Sequence, residues 1–181
     1  MTDKTFTITP APTLTYLAIT GIFLVMLIPF IALAFSCVQH IKPFSRIVFV
    51  ELFLMILIIA ISGVFAYFGY SARNTTFVIN DEGLKIKGAL YGRAIAKNLL
   101  IAPDVRILNL LDDATYGPRI RTNGVGLPGY LEGWFRLKNK EKALLFLTDR
   151  TQVIYIPTKN GYSVLLSVNE PKVFLRAVSQ L

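Results

Sequence analysis

A single cysteine, a single histidine and a single tryptophan serve 181 residues. With only Cys37, no disulfide can close within the chain and no cysteine-based metal site can be assembled. His40 is the one imidazole, and it stands in a short polar connection away from any domain that could supply a serine or acid beside it. That argues against hydrolysis by a Ser/His/Asp or Cys/His set. Charge is scarce too, at 17% of residues, and its distribution is the first positive signal: residues 14–38 carry none, and residues 47–68 carry only Glu51.

Two apolar runs of this kind are unstable in water and suited to a bilayer. At a helical rise of about 1.5 Å per residue, residues 14–38 reach about 37 Å, enough to cross a hydrocarbon core of about 30 Å. Residues 47–68 are also long enough, and the two predict a transmembrane hairpin over 14–68. The thirteen residues before it are mainly polar and a second span follows the first, so no signal cleavage is expected. Residues 1–13 are rich in Thr and contain Pro10 and Pro12, which predicts a loosely ordered N-terminus. Pro29 predicts a bend near Val25 to Pro29. The brevity of the connection holding His40, Lys42 and Arg46 makes the helices antiparallel neighbours. Counting outward from it sets Ser62 and Ala66 against Ala18 and Gly21, a small-residue contact of the kind membrane helices use. Glu51 lies little more than a turn inside the second span and is the candidate intramembrane polar site, read as reaching Arg46, Lys42 or water. Lys4, Arg73, Lys85 and Lys87 outnumber Lys42 and Arg46, which places both termini in the cytoplasm.

Residues 69–74 are too short for a free linker, which predicts a domain set against the bilayer, and beyond them the composition becomes that of a globular domain spanning 75–181. Strands are predicted at 76–80, 84–88, 90–95, 105–110, 130–138, 143–148, 152–157 and 162–168. Asn80-Asp81-Glu82-Gly83 supplies turn chemistry between the first two. The spacing indicates an antiparallel sandwich or barrel. Residues 144–147 and 153–156 are apolar on both faces, so each face needs a cover: the final helix for part, and the membrane, the hairpin or another subunit for the rest. That helix is read from Pro171, with Asn169 or Glu170 as cap and Phe174, Ala177, Val178 and Leu181 on one side.

Short strands closed by one C-terminal helix make the pleckstrin-homology arrangement. The stretches RTNGVGLPGY (121–130), GWFRL (133–137), KALLFLTD (142–149) and VIYIPT (153–158) resemble the bacterial PH-like domain family of small membrane proteins. The similarity runs from about Thr75 to Leu181. It implies a fold and brings no catalytic residues with it. Asn139-Lys140 stands where Asn-Gly is expected in a hairpin turn.

The remaining candidates are few. Asp112 and Asp113 are read as solvated turn residues, and no metal or other cofactor is expected. After Asn74 there are fifteen Lys and Arg against nine Asp and Glu, in a chain of net charge +8. These alternate with acids instead of forming a block, so nucleic acid is not an expected partner. Arg119 and Arg121, with Gly124 and Gly126 in the glycine-rich stretch 123–129, form the candidate anion or lipid site. That stretch is otherwise read as a turn in which Gly124, Gly126 and Gly129 take left-handed backbone. The expected role is a non-catalytic interaction or assembly module in a bacterial inner membrane, with the bilayer and a protein partner or second copy as partners. The alternative is a reader of anionic lipid headgroups.

Overall fold

The computed structural model describes residues 3–39 and 46–181. The described residues divide into two compact units: one built from the chain up to Thr15 together with Tyr70–Leu181, the other Tyr16–Gly69.

The second unit belongs to two helices, α1 (Thr13–Gln39) and α2 (Arg46–Asn74), and α1 runs unbroken through Pro29. They are antiparallel: Ser36 Oγ donates to Glu51 Oε1 at 2.6 Å, and Ser62 Oγ lies 3.5 Å from Met26 Sδ. The register therefore sits about one turn from the expected small-residue contact, with Ser62 opposite Met26 instead of Ala18 or Gly21. A Cβ placed on Gly21 or Gly63 would meet nothing within 4 Å, so no close backbone approach exists there. Counting outward from a turn assumes helices that start level, whereas the Ser36–Glu51 hydrogen bond fixes the offset. Of the described residues 16–69, only Ile19, Glu51 and Phe68 are buried. The polar connection with His40 and Lys42 lies outside the described residues.

Residues 69–74 are helix and not a separate connection. α2 continues to Asn74, because nothing from Gly69 to Asn74 breaks a helix and its last carbonyls find donors: Asn74 Nδ2 to the Tyr70 carbonyl and Thr75 Oγ1 to that of Ser71. The β-branched pair Thr75-Thr76 then turns the chain into strand.

The first unit holds two sheets. The four-stranded one is antiparallel, in the order β1 (Lys4–Thr7), β2 (Thr76–Asn80), β3 (Gly83–Lys87), β4 (Ala94–Ala96). Its first strand corrects the loose N-terminus: Phe6 and Ile8 alternate with threonines at period two and are buried, and the Thr9 amide donates to the Ser167 carbonyl. Pro10 and Pro12 fall after the strand, where they break nothing. The six-stranded sheet comprises β5 (Arg106–Leu108), β6 (Pro118–Leu127), β7 (Tyr130–Leu137), β8 (Lys142–Leu147), β9 (Val153–Pro157) and β10 (Ser163–Ser167), ordered β5-β9-β10-β8-β7-β6. All its pairs are antiparallel except β8 with β10. β10 enters between β8 and β9, and Ser167 at its end secures the corner it has opened. Its Oγ accepts from the amides of Thr148 and Asp149 and donates to the Asp149 carbonyl. In the β7–β8 turn Lys140 takes φ +70°, doing the work of the expected glycine.

Both faces of the apolar strands are covered by the chain's own residues. On one, Phe146 meets Phe77, which meets Phe174 of α3 (Pro171–Ser179), which meets Phe6, all edge to face. On the other, Leu145, Leu147, Val153, Tyr155 and Leu165 cluster with Leu108, Leu110, Phe135 and Leu137. Residues 109–117 cross from one edge strand of this sheet to the other, and Tyr116 from that crossing packs on Tyr155 with ring centroids 5.0 Å apart.

Candidate functional site

The glycine-rich stretch is strand, not loop. β6 runs Pro118–Leu127, and only Pro128 and Gly129 form the turn into β7, with Gly129 at φ +75°. Gly124 and Gly126 have ordinary backbone, and Gly124 is needed for another reason: a Cβ there would lie 2.2 Å from the Glu132 carbonyl of the neighbouring strand. Two register shifts, between Pro118 and Ile120 and between Arg121 and Asn123, put bulges in β6 and increase its twist.

Arg119 and Arg121 open into a concavity of about 410 Å³ with Arg150, from the β8–β9 connection, over a floor that includes Leu131 and Phe135. Gly126 lines the same hollow, whereas Gly124 faces the β7 backbone and takes no part. No acidic side chain lines it, and none of the three guanidinium groups has a hydrogen-bond or ion-pair partner among the described residues. Three forked donors over a partly apolar floor suit a carboxylate or phosphate. Arg150 gave no sign in the sequence, because only the fold brings the β8–β9 corner beside β6.

A second basic group surrounds the tryptophan. The Arg93 guanidinium lies 4.6 Å and the Lys142 ammonium 4.4 Å from the Trp134 ring centroid, and Tyr162 meets that ring edge-on at 5.0 Å. With both cations engaged on the ring, this cluster stiffens the sheet more than it offers free charge.

The third feature is a fully buried acid. Glu132 Oε2 accepts from Ser71 Oγ at 2.9 Å and from the Tyr130 hydroxyl, and Oε1 accepts from the Tyr91 amide at 3.2 Å. Tyr130 and Ser71 are 3.0 Å apart, and Thr75 continues the chain of hydroxyls. Glu132 is sealed from solvent and has no room for a substrate, so it acts as a polar knot between the end of α2 and β7. Period-two alternation through Tyr130, Glu132 and Trp134 is the signal that could have marked it as inward-facing.

The other sequence candidates are separate. Glu51 is buried, with Oε1 held by Ser36 and Oε2 without a partner among the described residues. Of its expected partners, Lys42 and the Arg46 side chain lie outside the described residues. Asp112 accepts from Asn109 Nδ2 and Asp113 from the Thr115 amide, both within turns. Near the crossing segment, the Tyr155 hydroxyl donates to Glu141 Oε1 at 3.0 Å. Burial, and then the Glu141 charge, push its pKa up to about 12.

The family model described as bacterial PH domain matches residues 75–181. No curated protein and no solved structure matches the chain. The matched span takes in every strand from β2 to β10 and the closing helix α3, so sequence match and architecture coincide, and the chain belongs to the bacterial PH domain family.

Proposed function

We propose that this chain is a membrane-anchored, non-catalytic interaction or assembly module. α1 and α2 are long and apolar enough to cross a membrane, with mean hydropathy 2.6 and 2.7 over their spans. Their surface supports the anchor: Ile28 is 71% and Phe53 64% exposed, in a unit where most of the described large apolar side chains are exposed. An apolar surface of that extent is stable against lipid tails and costly against water. The excess of Lys4, Arg73, Lys85 and Lys87 over Lys42 and Arg46 favours both termini, and the PH domain, on the cytoplasmic side of a bacterial inner membrane.

One observation carries the interaction role. The sheet unit covers both faces of its core with its own chain, yet leaves β6, ten residues long, as an edge flanked by three arginines that have no hydrogen-bond or ion-pair partner among the described residues. The same arginines favour a second reading, recognition of anionic lipid headgroups. Native gel electrophoresis of gently solubilised membranes tests the module reading: the chain is expected in an assembly larger than its own 20.2 kDa. Migration as a single chain in its detergent micelle would overturn it.

A further inference from the structure

We infer that β6 receives an extended acidic segment of a partner protein as an added strand, its carboxylates set at alternate residues against Arg119 and Arg121 and within reach of Arg150. This rests on the interaction-module reading and names the chemistry of the partner. β6 pairs with β7 on one side and with no strand among the described residues on the other, so outside its two bulges alternate residues turn their amides and carbonyls outward. At about 3.3 Å per residue the ten-residue strand offers at most roughly 33 Å of edge, shortened and bent by its two bulges, and is still longer than the common strand of five or six residues. Natural sheets protect such edges with bulges and with charge; β6 carries two bulges, and the charges lining the hollow beside it are all positive. Pairing of β6 with β6 of a second copy, in the register that overlaps the arginines, would set Arg119 opposite Arg121, and like charges facing across strands repel. An acidic strand reverses that sign. Its alternate carboxylates would stand on the face where the two arginines, spaced two residues apart, open into the hollow, and the apolar floor at Leu131 and Phe135 would shield the forked hydrogen bonds from water. A lipid headgroup could use the guanidinium groups but would leave the backbone edge unpaired, so the strand accounts for both features.

The test uses the full chain in neutral-lipid nanodiscs and an alternating Glu-Val octapeptide, with a Lys-Val octapeptide as charge control. Two further Glu-Val peptides carry backbone N-methyl groups on one or the other alternate set of residues. Binding is expected for the Glu-Val peptide and not for Lys-Val; one methylated set abolishes it and the other leaves it intact. Arg119→Ala with Arg121→Ala weakens it roughly tenfold or more, with an unchanged melt. Equal binding of both methylated peptides, or of none, overturns the added strand. So does binding confined to phosphatidylglycerol nanodiscs without peptide, which would assign the arginines to lipid. If the large native assembly persists in the Arg119→Ala, Arg121→Ala, Arg150→Ala variant, the module reading survives and this docking surface does not.

Discussion

The helix pair and the sheet unit are built from similar runs of Leu, Ile, Val and Phe and dispose of them in opposite ways. Phe53 is 64% exposed on α2, whereas Leu144 to Phe146 of β8 are wholly buried. The difference lies in the backbone. A helix satisfies its own amides and carbonyls, so its apolar side chains are free to face lipid on all sides. A strand satisfies them only through neighbours, so a strand apolar on both faces must be central and must be covered on each. Residues 109–117 and α3, with the four-stranded sheet, provide those covers, and neither a bilayer nor another subunit is needed for them.

The largest separation between the two units should come from truncating an aromatic in each. Phe77→Ala, at a wholly buried junction of three rings, is expected to cost about 3–5 kcal/mol, most of the stability of a modest domain. Phe53→Ala, facing outward, should cost under about 1 kcal/mol. Thermal melts in detergent, following helix by circular dichroism and the sheet by the fluorescence of Trp134, measure both. Equal losses would mean that Phe53 is packed against something and would break the comparison.

The two buried glutamates sharpen it next. Glu132→Leu leaves the Tyr91 amide without its acceptor and the Ser71 and Tyr130 hydroxyls with only each other and Thr75, and is expected to cost about 1–3 kcal/mol. Glu51→Gln keeps an acceptor for Ser36 and should leave membrane insertion and protein level unchanged, with a loss under about 1 kcal/mol. A large effect at Glu51 with normal protein level would turn that carboxylate from a helix-pair contact into a functional group.

Two glycines in one strand give a smaller contrast. Gly124→Ala must push β6 off β7 and should cost about 1–3 kcal/mol. In contrast, the Cβ of Gly126→Ala meets Leu131 Cδ2 at 3.4 Å, an ordinary contact, and should change the melting point little. Matching losses would contradict the strand geometry described for β6.

The smallest effect is a slope. From pH 10, the ordinary tyrosine value, to about 12, folded Tyr155 keeps a proton that the unfolded chain has released. Its contribution to stability is therefore complete below pH 10 and is lost as pH rises to about 12. Tyr155→Phe should flatten that part of the stability curve relative to the parent; identical slopes would show that the hydroxyl is not held by burial and Glu141.

Local pattern made much of this molecule legible. The absence of charge over residues 14–38 marked α1, alternation and turn chemistry marked most strands, and the spacing of Phe174, Ala177 and Val178 marked α3. Pattern failed where the answer depended on a distant segment. β1 was obscured by the prolines after it, and β6 by glycines that read as a turn but serve close strand approach at Gly124. Of the residues lining the hollow, Arg119, Arg121 and Gly126 are neighbours in sequence, whereas Arg150 comes from a corner that no local pattern links to them, and Gly124 turns to the β7 backbone instead.

The sequence by itself determined which segments avoid water, which alternate and which turn, because those properties depend on neighbours within a few positions. Only the tertiary structure decided that β10 enters between β8 and β9, that residues 109–117 cover the second apolar face, that Glu132 is sealed among hydroxyls, and that Arg150 joins the β6 arginines. Each of those depends on which backbone edge pairs with which and on what volume is left to fill, and such choices are settled by contacts between residues far apart in the chain.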